Sequence, residues 1–379
     1  PMWTWVEYPL LPWSHVSAPP SEVKIKAAKV LANGGRPMVW NVPRAPDCDE
    51  RGLEGLADVY GPASQYPEYF SGAEHVPFLG VLYSSQTMED YCRGDSRRFE
   101  ACQREVSGIL ALARHAHLPV DVLLDRHIVG DNLGRYGALV LPNAAGLSEG
   151  QCAAIRAFVE QGGGLIATGE SSLFNDAGER RGDFELADVL GARFVETLRT
   201  QNAGKSTGYS TTEGEHPATE TLGPGFRLPA GGIYHAVEIA GSATRLSTLL
   251  TRCRYYCDHP GQPTGHPALI ANEFGRGRVL FVPGSFGAVY AERGFPDYRT
   301  LLADAVEWLC PGMRPIWTSL PDSVETTLAR TAGGALVVHL VNCSADLSRP
   351  VSAVGRVDGC TMGLCPGIAG AIRVRALVA

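Results

Sequence analysis

Glu7 stands directly after an aromatic and β-branched run, Met2 to Val6, and is followed by Tyr8 and, a few residues on, by Trp13. Trp40 closes a second strand-like run, Met38-Val39-Trp40. A strand-end carboxylate beside aromatic faces and a tyrosine hydroxyl has the setting of a nucleophile working on a sugar ring: the rings stack on the sugar and the hydroxyl orients the carboxylate. Retaining glycoside hydrolysis needs two carboxyl groups roughly 5–5.5 Å apart, one to attack the anomeric carbon and one to protonate the leaving oxygen. Glu7 is a candidate for one of the two. The competing reading is an ordinary strand-end carboxylate on a solvent-facing loop. His15, Asn41 and Arg44 are candidates to line the same pocket, each set against a purely structural role.

Three further stretches carry reactive residue types in spacings that do not suit them. Ser171, in Gly169-Glu170-Ser171-Ser172, offers a hydroxyl, but no G-x-S-x-G elbow surrounds it, and the stretch reads as loop and helix start. Cys253, Cys257 and His259 have the residue types of a metal site, yet a zinc site needs four ligands, so buried thiols or a loop are expected, with no metal or cofactor. Gly162-Gly163-Gly164 ends a helix and precedes a strand, the reverse of a phosphate cradle.

The element that orders the chain runs from Tyr136 to Ser172. Ala138 to Leu141 is a short apolar strand stopped by Pro142 and Asn143. A helix follows, with Ser148 and Gln151 as a capping box and Cys152, Ile155, Phe158 and Val159 on one face. Leu165 to Thr168 is the second strand, and a helix of this length between two strands predicts a parallel pair in an open α/β sheet. Around this unit, Val76 to Tyr83 and Val120 to Leu124 read as strands and Arg98 to His115 as an amphipathic helix. Phe184 to Leu190 reads as a short helix and Ala203 to Gly232 as an irregular excursion. Ala268 to Glu273 with Arg278 to Val282 predicts a hairpin, and Asp297 caps a helix to Leu309.

Before this region, strand, helix, strand, helix alternate: Ser21 is expected to cap a helix with Val23, Ala27, Val30 and Leu31 on its apolar face, and Gly52 opens the next. Candidate residues just after each strand are how the end of a (β/α)₈ barrel reads, with the earlier strands expected outside this chain. After it, Val324 to Leu328, Ala335 to Val341 and Ile372 to Val378 predict a small antiparallel β domain. The expected fold class is α/β. It comprises a partial barrel end over residues 1–74, a flavodoxin-like doubly wound domain over 75–313, and a C-terminal antiparallel β domain over 314–379.

Trp5-Val6-Glu7-Tyr8-Pro9, Trp13, Ala32-Asn33-Gly34-Gly35 and Met38 to Arg44 together resemble the last quarter of the barrel of family 42 β-galactosidases. Tyr136 to Ser172 is similar to the trimerisation domain of that family, whose sheet resembles that of class I glutamine amidotransferases. The resemblance implies that Glu7 is the catalytic nucleophile, that the acid/base glutamate lies on an earlier strand outside this chain, and that the protein assembles as a homotrimer acting on a carbohydrate. Two departures accompany it: that acid/base strand is not in this chain, and Pro43 stands where the galactosidases usually carry tryptophan. Separately, Ala167 to Ser171 holds no cysteine at the place of the amidotransferase nucleophile.

Composition bounds the rest. With 379 residues and 45% hydrophobic content, the chain can bury a core divided among two or three domains. Forty acidic against 33 basic residues, a net charge of −7 without long blocks, argue against a nucleic-acid or anionic-membrane surface. No apolar run reaches the ~18 residues of a membrane span, and no signal peptide is visible. Ten scattered cysteines read as reduced, mostly buried thiols, so a cytoplasmic location is expected. A non-catalytic module that oligomerises or binds carbohydrate is the alternative to an enzyme.

Overall fold

The computed structural model describes residues 3–7, 9–10, 13–40, 49, 51–199, 208–251, 253, 259, 261–345, 350–365, 374 and 376, with the backbone alone up to residue 15 and at 39, 40, 131 and 199. The chain opens with β1 (Trp3–Glu7), β2 (Pro9–Leu10), β3 (Trp13–Ser17), α1 (Pro20–Ala32), β4 (Arg36–Trp40), α2 (Arg51–Gln65) and β5 (Glu74–His75). It continues through β6 (Leu79–Tyr83), α3 (Ser96–His115), β7 (Val120–Leu124), β8 (Ala138–Leu141), α4 (Glu149–Glu160), β9 (Gly164–Thr168), α5 (Ala187–Leu190) and β10 (Ala192–Arg199). Next come β11 (Tyr209–Thr212), β12 (Arg227–Pro229), β13 (Ile233–Ile239), β14 (Thr244–Leu250), β15 (Pro263–Phe274), β16 (Gly277–Val282), α6 (Gly287–Arg293) and α7 (Pro296–Leu309). It closes with β17 (Ile316–Thr318), β18 (Val324–Arg330), β19 (Leu336–Asn342) and β20 (Met362–Leu364). These elements fall into two compact units, residues 77–314 and residues 1–76 with 315–379.

The 77–314 unit is built on a nine-stranded sheet, β12-β11-β14-β15-β16-β9-β8-β6-β7. Its parallel part, β7-β6-β8-β9-β16, has the 2-1-3-4-5 order of a flavodoxin-like doubly wound sheet. The expected strand-helix-strand unit is present: β8 and β9 pair in parallel, and Ser148 and Gln151 bond reciprocally at the start of α4. Both faces of the sheet are covered. Val140, Ile166 and Leu280 pack with Ile109 and Leu112 of α3 and Leu302 and Val306 of α7, while Leu139, Leu165 and Phe281 pack with Ile155 and Val159 of α4. Alternate residues of one strand thus enter two cores, which is why these strands read as unbroken apolar runs.

Three expectations shift here. The excursion expected over 203–232 contains β11 and β12, which extend the sheet with β14; residues 200–207 lie outside the described residues. The short helix is reduced to α5. Asp297 lies in the first turn of α7, and Phe295, without a side-chain cap, stands at the cap position.

In the other unit, β1 and β4 form a parallel pair with α1 between them in sequence, as strand-helix alternation requires. Helix α1 packs on α2 through Val23, Ala27 and Leu56, and Gly55 permits the approach: a Cβ there would stand 2.1 Å from the Pro20 carbonyl oxygen. Ser21 is not the cap expected of it. The helix starts at Pro20, whose fixed φ suits a first turn, and the Ser21 hydroxyl donates instead to the Ser352 carbonyl. Glu22, 6% exposed, accepts the Val351 amide at 2.7 Å and pairs with Lys26 at 2.9 Å. The antiparallel region takes the form of two small sheets, β19-β18-β5 and β17-β20, and the strand expected over 372–378 lies largely outside the described residues.

Candidate active site

The register of β1 with β4 pairs Glu7 with Trp40, so these two residues end adjacent parallel strands on the same side of the sheet. Trp13 and His15 lie on β3, which turns back along β2 with Leu10 opposite Trp13. The side chains of Glu7, Trp13, His15 and Trp40, and all of Tyr8, Asn41, Pro43 and Arg44, lie outside the described residues. The Tyr60 hydroxyl of α2 donates to the Pro37 carbonyl of β4 at 2.7 Å, fixing the helix against the strand. At the end of β3 the Ser17 amide donates to the Asp49 carboxylate at 3.1 Å, and the Ser17 hydroxyl accepts the Gly52 amide at 2.9 Å. Arg51 also bonds Asp49, and these donors hold its carboxyl far below the usual carboxylate range.

A second cluster occupies the C-terminal edge of the parallel strands in the 77–314 unit, the edge at which open α/β sheets bind ligands. Asn143, after β8, has φ 45°, and its side-chain oxygen accepts the Glu170 amide at 2.7 Å. Gly169 is required twice: its φ is 61°, and a Cβ would stand 2.2 Å from the same Asn143 oxygen. The Glu170 carboxylate accepts the Tyr91 hydroxyl, and Arg98 lies 4.5 Å over the Tyr91 ring. Burial first, and then Glu170, push the Tyr91 phenol far above its usual range. His235, 3% exposed, is held toward the neutral form by burial, against the opposing pull of Glu170. Beneath them Glu105, 3% exposed, accepts the amides of Phe286, Gly287 and Ala288 at the start of α6 and the Thr168 hydroxyl. Burial raises its pKa while these four donors pull it down.

Ser171 is not a nucleophile in this setting. It is fully buried, its hydroxyl lies 2.7 Å from the Thr168 carbonyl and 3.0 Å from that of Leu141, and it accepts the Ala144 amide. The contact of Tyr91 with Glu170 was not legible in the sequence, where 79 positions separate them. Pro142-Asn143 after an apolar strand was the one local sign of a special turn there. Cys253 donates to the His259 carbonyl, while Cys257 lies outside the described residues. Among the described residues no group of three or more His, Cys, Asp and Glu side chains is placed to hold a metal ion. A groove of about 500 Å³ at the opposite end of the strands is lined by Tyr136, Ala154, Phe158 and glycines; among the described residues no carboxylate, imidazole or thiol lines it. No helix of the described residues is long and apolar enough to cross a membrane.

Comparison with known proteins adds three findings. The model of the ThuA family, trehalose utilisation, matches residues 93–309, more than half of the chain. β-Galactosidase BgaP of Planococcus sp. (strain L4) is 26% identical over 234 residues, which is 59% of this chain and 29% of that protein. Among solved structures, α-L-fucosidase isoenzyme 2 from Paenibacillus thiaminolyticus superposes with a TM-score of 0.70 at 17% identity, over 96% of this chain and 53% of that one. The β-galactosidase from Bacillus circulans sp. alkalophilus gives a TM-score of 0.64 at 17% identity, over 92% and 51%. The chain thus spans about half the length of these structures and less of the curated relative, and the likeness is one of fold.

Proposed function

This chain belongs to the ThuA family, trehalose utilisation, and from that premise we propose that it is part of a retaining glycoside hydrolase of β-galactosidase type. Residues 1–74 are the end of a (β/α)₈ barrel, 75–313 a trimerisation domain, and 314–379 a β domain. Glu7 is the nucleophile of a double displacement. Tyr8, Trp13, His15, Trp40, Asn41 and Arg44 line the sugar site, and the acid/base carboxyl comes from polypeptide outside these 379 residues. The observation that carries this reading is the parallel register placing Glu7 and Trp40 at the same ends of neighbouring strands, because barrel enzymes build their sites at strand C-termini. Among the described residues β1 and β4 pair only with each other, and a lone two-stranded sheet is marginal without further strands. The partial likeness to a β-galactosidase supports the reaction class.

The test is hydrolysis of aryl β-galactosides and aryl α-L-fucosides by the protein translated from its reading frame continued upstream of Pro1. Glu7→Gln is expected to lower kcat by about 10³-fold or more, the loss expected when a reacting group is removed. A fall of less than tenfold contradicts the role of Glu7. The 379-residue chain alone is expected to be inactive, and turnover by it that Glu7→Gln abolishes overturns the placement of the second carboxyl.

The assembly proposed is a homotrimer built by the 77–314 unit, consistent with closed symmetry being the usual arrangement of soluble oligomers. That unit serves as scaffold: its one nucleophile candidate near Glu170, Ser171, is buried and committed to backbone.

A further inference from the structure

Cys92 and Cys102 place their sulfur atoms 3.7 Å apart, and both are free thiols. Cys92 ends the single π-helical turn Thr87–Tyr91, and Cys102 lies in the first half of α3. They are 3% and 1% exposed, inside a small cluster with Met88, Tyr91 and Val106. The Cys102 sulfur also accepts the Asn143 side-chain amide at 3.3 Å, and Asn143 in turn holds the Glu170 amide. Tyr91, the neighbour of Cys92, donates to the Glu170 carboxylate. The two thiols therefore sit under the cluster at the C-terminal edge of the sheet, joined to it on both sides.

We propose that Cys92 and Cys102 are a redox modification site, a dithiol that closes to a disulfide when a small hydroperoxide reaches it. A disulfide needs its sulfurs at about 2.05 Å, so closure requires roughly 1.6 Å of movement. That distance is within reach of a one-turn π segment, a helix form that is seldom extended and is frequent at functional sites. Cys92 is the attacking sulfur, being at the end of the short turn rather than inside a long helix. Its thiolate forms an S–O bond with one peroxide oxygen as the O–O bond breaks; the departing hydroxide takes up the proton the thiol released, giving water and a sulfenic acid. The Cys102 thiolate then attacks that sulfur. The S–S bond forms, the S–O bond breaks, and the leaving hydroxide becomes a second water. Two thiols and one hydrogen peroxide give one disulfide and two waters. Burial keeps both thiols largely protonated and raises Cys102 to about 12, so reaction is slow and selects small oxidants. Closure draws Cys102 from Asn143 and Tyr91 from Glu170, so oxidation of the pair reshapes the sheet-edge cluster.

The test uses the full chain under native conditions with millimolar hydrogen peroxide, followed by alkylation, digestion and mass mapping. The expected product has lost two hydrogens, carries a cross-link between the Cys92 and Cys102 peptides, and is restored by dithiothreitol. The exposed Cys360 serves as internal control for oxidant exposure. In Cys102→Ala the cross-link is lost and Cys92 accumulates as sulfenic and then sulfinic acid. The proposal is overturned if Cys360 is fully oxidised while Cys92 and Cys102 both remain alkylatable. It is equally overturned if wild-type Cys92 becomes sulfinic acid while Cys102 stays a thiol.

Discussion

His339 on β19 illustrates how a single half-buried side chain contributes to the response of its unit to acid. Its ring packs 5.3 Å from that of Phe70, and burial, reinforced by His75, lowers its pKa to about 4. The unfolded chain takes up this proton near pH 6.5, the folded chain near 4. Above pH 6.5 both states are neutral and no penalty exists. As pH falls from 6.5 toward 4 the unfolded state binds the proton first, and stability is lost by at most about 3 kcal/mol, less because the ring is only half-buried. Denaturant titrations at pH 7.5 and pH 5 are expected to show this loss in the wild type and a flatter profile in His339→Gln. An equal acid response in both proteins contradicts it.

At the scale of elements, α3 and α6 meet at Gly108 and Gly287. A Cβ at Gly108 would stand 1.8 Å from the Gly287 carbonyl oxygen. Gly→Ala inside a helix ordinarily stabilises by about 1 kcal/mol, but here backbone must move, and overpacking of this kind costs about 1–3 kcal/mol. Gly108→Ala is therefore expected to lower the unfolding midpoint in urea, and a raised midpoint contradicts the close contact. Other elements show what a sequence displays and what it hides. The β8-α4-β9 unit was legible because its signals are local: Ser148 and Gln151 are three residues apart, and the apolar face repeats along one helix. β11 and β12 were not: their hydroxyl and proline residues lack apolar alternation, β11 is held as a strand by β14, which lies later in the chain, and β12 is held by β11. Ser21 failed as a cap for a related reason, since Ser352, some 330 positions away, takes its hydroxyl. Of the proposed sugar site, the strand ends at Glu7 and Trp40 were legible from β-branched and aromatic runs. Their pairing in register is a tertiary fact.

For the whole molecule, assembly and chemistry are separable claims. A homotrimer is expected by light scattering at micromolar concentration, and a monomer throughout that range contradicts it without touching the role of Glu7. The proposed reaction rests on one carboxylate becoming covalently bound to sugar. That claim is met most directly by incubating the protein translated from upstream of Pro1 with a 2-deoxy-2-fluoro aryl glycoside of a sugar it hydrolyses, and then mapping the trapped adduct by mass. The expected result is one glycosyl ester per chain, on the peptide that contains Glu7; an ester on another carboxylate, with the Glu7 peptide unmodified, contradicts the account.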